Sequence, residues 1–539
     1  MLIDLHGELV HEWKSNRNGS VGYLQPDGTL IRYGVSPRFT GAGKPKDETQ
    51  WNQKHWSFAG GAGYVQAIRW DSTLLWEYQY ISHRVCGHHD IEVMPNGHVL
   101  IVAWERHTFE EAIAMGRDPE KLTDDEIWSD HVVEVAPDGK GGGEIVWKWD
   151  WWDHLVQDLD PEKPNYVDNA ANAPRRLDIN ATPRSTGADW IHSNSIAYNA
   201  ELDQILMSSN FLSEVFIIDH SITSDEAATS RGDLLWRWGN PRNYRADSSQ
   251  KLFGQHNAHW ISSDCPGAGH ILVFNNGGAL GPDAPNPGSS VDEIVLPPMV
   301  PSSSSLSSSH MVYQLANAPA SQRRAAAEPV EGTFGPVEAT WRFFADGFYA
   351  SYISGAQRLP NGNTLINHGP HGCFFEVSMS GEVVWCYLNP CVGSASDSDR
   401  LKVVSQGSIV SDYDTTAGSG DKKKAAEGPA KPKSEPELPL AAAVRSLEKA
   451  IEIEKERHRE SLRQLQAAIE EERSAIAPKQ SQKTASEQKR LPFCDRSSKK
   501  FSWPNSTFRA ERIPFSHPAL QGRDLTPKGC LENLGAGSE

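Results

Sequence analysis

The chain has 539 residues, 18 of them tryptophan, with an ordinary hydrophobic fraction of 38% and a net charge of -18. So acidic a balance excludes a nucleic-acid surface, which needs a basic face, and leaves room only for a local pocket that takes a small anion. No run of 18 apolar residues exists, so no transmembrane helix is expected, and the seven scattered cysteines contain no CxxC pair, so neither a structural zinc nor a redox dithiol is expected.

The first residues, Met1 to Gly7, lack the basic and apolar regions of a signal peptide and read as part of a strand pair. Such a start suits a protein that stays inside the cell, or a chain whose true start lies upstream. A repeat begins at Gly7-Glu8-Leu9-Val10-His11-Glu12-Trp13 and returns at Ser72–Tyr78, Gly143–Trp149, Gly232–Trp238, Ala339–Phe343 and Gly381–Tyr387. Each copy alternates apolar or aromatic with polar residues, as a half-buried strand does, and most follow a turn. Repeats of short strands at this period mean a propeller or solenoid, and six copies predict an all-β fold, a six-bladed β-propeller.

Insertions interrupt the blades. Glu105–Asp130 carries a short helical run at Phe109–Met115. Trp151–Ala188 is rich in Pro and Asn and reads as a loop over one end of the propeller, and Pro297–Val330 reads as a mobile Ser/Ala/Pro loop. The propeller domain is expected over 1–393. A disordered linker over 394–440 is expected next, then a charged helix over 441–477 that could form a weak coiled coil and bind a protein partner, then a mostly disordered tail over 478–539.

A second repeat carries the chemistry. His89-Asp90-Ile91, His192 before Ser193–Ala197, His256-Asn257-Ala258 and Ser354-Gly355-Ala356 each lead, about a dozen residues on, to an apolar strand. On stacked strands His89, His192, His256 and Ser354 fall in one column, and a ring of imidazoles is a chemical site. In the His88-His89 pair strand alternation sends the two side chains opposite ways, with His89 in the column. His259 is off the column and reads as structural. His368 and His371 flank a Gly-Pro turn. His154 lies in an insertion, where it caps the channel mouth or satisfies a loop hydrogen bond. Asn194 and Asn276 bind anion oxygens or tie blade backbones.

The segments His88–Gly97, Trp152–Asp158, Asp189–Ile196, Trp236–Pro241, Gln255–Trp260 and Leu359–Ile366 together resemble the aryl-sulfate sulfotransferase family, six-bladed propeller enzymes that work without PAPS. The resemblance spans about Met1 to Pro390. It implies a cofactor-free, two-step transfer between an aryl sulfate donor and a phenol acceptor. A channel histidine attacks sulfur, the phenolate leaves, and the sulfohistidine passes its sulfuryl group to a second phenol. By position, His192 matches the family's aspartate-tryptophan-x-histidine motif and His256 its glutamine-histidine motif. Two departures stand out: the asparagine-glycine turn Asn275–Leu280 lacks the family's arginine, and Ser354 stands where the nucleophilic histidine is expected. His371, His368 or His256 is then left for that role, with His89, Asn194, Asn276 and His154 as substrate-binding candidates.

Two other classes remain open on the residues. Imidazoles from successive blades can bind iron, His89, His192, His256 and one of His368 or His371 being the set. Alternatively the propeller is a non-catalytic binding platform. The family's relatives are exported; Asn18, Asn180 and Asn505 open glycosylation triplets.

Overall fold

Residues that alternate apolar and polar side chains bury one face of a strand, and four such strands make one blade. The computed structural model describes residues 2–3, 9–35, 56, 60–181, 187–246, 248–277, 288–301, 311–314, 333–345 and 348–388. The chain divides into two compact units, 1–412 with 500–539 and 413–499; the second lies outside the described residues, as do the expected linker, charged helix and tail.

After the pair β1 (Leu2–Ile3) and β2 (Leu9–His11) come five four-stranded antiparallel sheets among the described residues. Blade one is β3 (Gly19–Leu24), β4 (Leu30–Val35), β5 (Gly63–Ile68) and β6 (Leu74–Gln79). Blade two is β7 (Val85–Val93), β8 (Val99–Thr108), β9 (Glu126–Pro137) and β10 (Gly143–Asp150). A short parallel pair, β11 (Leu155–Val156) and β12 (Leu177–Asp178), precedes blade three: β13 (Ser193–Asn199), β14 (Gln204–Ser209), β15 (Glu214–Asp219) and β16 (Trp236–Trp238). Blade four is β17 (His256–Trp260), β18 (Ile271–Asn275), β19 (Ser290–Ile294) and β22 (Trp341–Phe344). The pair β20 (Met299–Pro301) and β21 (Met311–Tyr313) lies inside it. Blade five is β23 (Gly355–Arg358), β24 (Thr364–His368), β25 (Cys373–Val377) and β26 (Val383–Leu388). The fold is propeller-like and all-β, with almost no helix. The expected helix in the first insertion is six residues, Phe109–Ala114, closed by a capping box between Thr108 and Glu111.

Among the described residues five complete sheets stand against the six blades expected, and the copies of the repeat account for them. Five of its six copies are the fourth strands β6, β10, β16, β22 and β26; the first copy supplies β2, which pairs only with β1. The conspicuous tryptophan of the repeat has a job common to most copies. Its Nε1–H crosses to a carbonyl between the third and fourth strands of the following sheet: Trp76 to Gly142 (2.5 Å), Trp147 to Ile222 (2.8 Å), Trp236 to Gly335 (2.7 Å) and Trp341 to Met379 (3.0 Å). In the first copy His11 takes that place, its Nε2–H donating to the Trp70 carbonyl at 2.8 Å. Adjacent sheets are thus joined in series by a repeated indole donor, over shared apolar cores such as Trp147, Trp149, Trp151, Trp190 and Phe216 between blades two and three.

The insertions depart from the loops expected. The described part of Trp151–Ala188 carries the parallel pair β11 and β12, and is tied to the residues before β16: Arg175 Nη1 donates to the Leu234 and Leu235 carbonyls, and Arg176 pairs with Asp233 at 2.9 Å. The described part of Pro297–Val330 forms β20 and β21, because Tyr313 bonds through its N–H to Leu235 O and through its hydroxyl to Gln204.

Trp147→Phe keeps the ring in its core and removes the donor to Ile222. Chemical denaturation is expected to show a loss of about 1–3 kcal/mol, the cost of a buried carbonyl left unsatisfied.

Candidate functional site

The innermost strands β7, β13, β17 and β23 are laced to one another by side chains. Asp90 Oδ2 accepts from the Ile196 N–H (3.2 Å), Ser195 Oγ from the Ala258 N–H (3.0 Å) and Asn257 Oδ1 from the Ala356 N–H (3.1 Å). These ties place His89, Asn194, His256 and Ser354 at one level, each one residue before the tie position. His192 is therefore not in the column as the sequence suggested; it enters two residues earlier. The reason is that the strands bulge by different amounts near this level, between Gly87 and Ile91, Ser193 and Ser195, and His256 and His259.

Convergence survives the shift in register. His89 (φ 55°) and His192 (φ 53°) both adopt the left-handed backbone conformation, uncommon for residues with a side chain and concentrated at functional sites. Their rings meet edge to face with centroids 4.4 Å apart. The His89 ring lies directly over Gly60 (φ +99°), where an added Cβ would stand 2.2 Å from His89 Cε1. Burial, followed by the neighbouring His192, His88 and His256, pushes the His89 imidazole well below its ordinary value. All three histidines of the sequence reading, His89, His192 and His256, are half-buried, so they are reachable from solvent.

Each ring has its tautomer fixed by what it touches. His192 Nδ1 faces Asp189 Oδ2 at 2.5 Å, so Nδ1 carries the proton and Nε2 the lone pair. Asp189 is fully buried, its other oxygen accepts from Trp104 Nε1 (3.2 Å), and Phe211 stacks on the His192 ring at 4.3 Å. Asn276 Nδ2 donates to the carbonyls of Ala350 (2.8 Å) and Ile353 (3.0 Å), which leaves its Oδ1 to accept from His256 Nδ1–H at 2.7 Å. His256 Nε2 then accepts from the Ile353 N–H at 3.2 Å. His368 Nε2–H donates to the Tyr349 carbonyl (2.9 Å), so its Nδ1 accepts from His371 Nδ1–H (3.0 Å), and His371 Nε2 holds the lone pair.

The segment 349–354 carries both groups: His256 and Asn276 hold Ala350 and Ile353, His368 holds Tyr349, and Ser354 Oγ accepts from the Gly369 N–H at 3.0 Å. Asn194 ties backbones, its Nδ2 donating to the Gln255 carbonyl at 2.7 Å. His154 is elsewhere. It is buried and stacked on Trp149, with Nδ1 on Asp233 (2.9 Å) and Nε2 on the Ala227 carbonyl (2.8 Å), the loop bond that was the alternative to a place at the channel mouth. Sequence reasoning missed Asp189, His88, Asp130 and Trp104. The Asp-x-x-His spacing and the histidine doublet were the available signals.

Among the described residues, one trio of possible metal ligands has donor atoms within 4.8 Å of one another: Glu105, His131 and Asp150 of blade two. Lys148 Nζ already sits 3.1 Å from Glu105 and 2.9 Å from Asp150, which compensates their charge. The imidazoles of the iron reading form no such trio.

Two outcomes follow from this packing. Burial, with His371 second, pushes the His368 imidazole down to about 3, against the ordinary 6.5. As pH falls below about 6.5 the unfolded chain binds a proton that the folded chain refuses, so stability is expected to fall by up to about 1.4 kcal/mol per pH unit for this group, and to be unaffected above that range. Urea denaturation at about pH 7 and about pH 5 should show a shallower acid loss in His368→Gln. Gly60→Ala should displace the His89 ring and cost about 1–3 kcal/mol of strain, read by denaturation and by the His89 NMR signals.

No curated protein matches the chain. A protein of unknown function from Bacteroides caccae is 11% identical, covering 70% of this chain and 83% of that one at a TM-score of 0.32. Hydrazine synthase from Kuenenia stuttgartiensis is 13% identical, covering 47% of this chain and 54% of that one at 0.25, and virginiamycin B lyase from Staphylococcus aureus is 8% identical, covering 70% and 86% at 0.30. Likenesses of this size carry no argument about function. The model of the family Arylsulfotransferase (ASST) matches residues 77–389, more than half of the 539, and takes in His89, His154, His192, His256, His368 and His371. The chain belongs to the arylsulfotransferase family.

Proposed function

We propose that the chain moves a sulfuryl group from an aryl sulfate to a phenol, without PAPS, through a sulfohistidine on His192. The observation that carries this is the pair of His192 and Asp189. A nucleophilic imidazole needs a lone pair directed at the ester and compensation for the positive charge that forms when it is sulfonated. Asp189, buried and bonded to Nδ1–H, supplies both: it fixes Nε2 as the lone-pair nitrogen and faces the developing cation. His89 is packed against the same ring. His256, whose Nε2 accepts a backbone N–H, is the poorer nucleophile of the two and suits a role in shaping the pocket with Asn276. His368, bonded at both nitrogens and kept neutral by burial, supports His371.

In the first step His192 Nε2 forms the N–S bond as the S–O bond breaks, and the electron pair leaves on the phenolate oxygen. In the second the acceptor oxygen forms its bond to sulfur, and the N–S pair returns to Nε2. The family's arginine is absent from the Asn275-Asn276-Gly277 turn of this chain, so imidazole and backbone donors are left to hold the sulfuryl oxygens. His371 is the second reading for the nucleophile, on the ground that His368 fixes its Nε2 as the lone-pair nitrogen.

The test is mass spectrometry after incubation with 4-nitrophenyl sulfate. One sulfuryl group is expected on the peptide that contains His192. Its appearance on the His371 peptide would move the nucleophile there, and no uptake at all would sink the sulfotransferase reading. Asp189→Asn, which reverses the tautomer, should lower kcat by about 10²–10⁴-fold, and His192→Ala by more, as triad removals do in hydrolases.

A further inference from the structure

We infer that Asp130, His88 and His89 form a proton relay serving the phenolic oxygen, with His88 and Asp130 as positioning residues behind His89. It rests on the sulfotransfer reading and adds the acid and base that reading lacks. Neighbouring residues of a strand point to opposite faces, and a histidine doublet should therefore split. Here the left-handed turn at His89 brings the two Nδ1 atoms to 2.7 Å. His88 is wholly buried and lies flat on the Trp104 indole, centroids 4.0 Å apart and planes 11° apart. Its Nε2 is 3.5 Å from Asp130 Oδ1, and neither atom has a hydrogen-bond partner among the described residues. Asp130 is also fully buried, and its Oδ2 accepts from the Ser193 N–H at 2.6 Å, next to His192.

A carboxylate oxygen buried without a bond is costly unless a proton-bearing group faces it, and His88 Nε2–H is the group that does. His88 Nδ1 then accepts, His89 Nδ1–H donates, and His89 Nε2 is left as a base beside His192. When the pair holds one further proton, that proton sits on His88 Nδ1, facing His89 Nδ1, while His88 Nε2–H keeps facing the Asp130 carboxylate, and His89 carries its own on Nε2. His89 thus stays neutral in both states, in keeping with an imidazole that burial and three neighbouring histidines hold uncharged.

The protons balance over the cycle. As the donor S–O bond breaks, His89 Nε2–H passes its proton to the departing phenolate oxygen, and His89 Nδ1 takes the proton from His88 Nδ1. In the second step His89 Nε2 takes the proton of the acceptor phenol, and His89 Nδ1–H returns its own to His88. Nothing is oxidised or reduced.

The test uses the full chain and two donors whose phenols differ in acidity, 4-nitrophenyl sulfate and phenyl sulfate. The 4-nitrophenolate leaves without a proton, whereas phenolate needs one. Asp130→Asn is close to isosteric and can still accept from Ser193; His88→Gln removes the imidazole. Each variant is expected to lose less than about threefold in kcat/KM with 4-nitrophenyl sulfate and about 100-fold or more with phenyl sulfate. Retained kcat/KM for the nitrophenyl donor, which reports the first half-reaction, shows that the variant is folded. Equal losses with both donors would reduce the pair to packing and overturn the relay alone. A wild-type chain that takes up no sulfuryl group overturns both the relay and the reading beneath it.

Discussion

Everything at the centre of this protein depends on one requirement: strands from separate sheets must meet without leaving backbone groups unbonded. Between β7 and β13, β13 and β17, and β17 and β23, no ladder of main-chain bonds exists. Side chains do the work at each seam, among them Asp90, Ser195 and Asn257, each accepting a backbone N–H of the next inner strand. A buried N–H left without such a partner would cost about as much as a lost hydrogen bond. At the rim the repeated tryptophan does the same with its indole N–H. Seams fixed inside and out hold the strand ends in place, and side chains on those ends inherit the precision.

The histidines use that precision in a particular way. His192, His256 and His371 are not left to choose their own tautomers. A carboxylate settles His192, an amide settles His256, a carbonyl acting through His368 settles His371, and a second imidazole faces His89. Every one of these partners takes the Nδ1 side, which turns the Nε2 atoms of His89 and His192 away from their supports. That uniformity is a property of the supporting residues, most of which are buried and polar, and it explains why so many polar groups lie inside an all-β fold at their own cost in desolvation.

Much of the architecture could be read in the chain. The alternating repeat gave the fourth strand of every blade, and the Thr108 and Glu111 pair marks the helix start as its capping chemistry requires. Six copies of a one-strand repeat do not by themselves count complete sheets, and five such sheets are seen among the described residues. The histidines that converge were legible as residue types, but their level was not: Asn194 stands where His192 was expected, since bulges add residues without a mark in the hydrophobic pattern. His88 was set aside by strand alternation, a rule that a left-handed residue such as His89 breaks. Asp130 and Trp104 sit in ordinary strand sequence, so only the fold reveals what they face.

Asp130 and Asp189 have one further property in common. Asp130 lies in β9 of blade two and Asp189 in the segment that leads into blade three, and each bridges the two: Asp130 bonds to the Ser193 N–H while facing His88, Asp189 to Trp104 and His192. A carboxylate shared across a seam acts as a caliper. If the two sheets drift apart by even a fraction of an ångström, both imidazoles lose their orientation together, long before either sheet unravels. Chemical competence in this protein is therefore tied to the width of one joint, and anything that wedges or clamps that joint governs it.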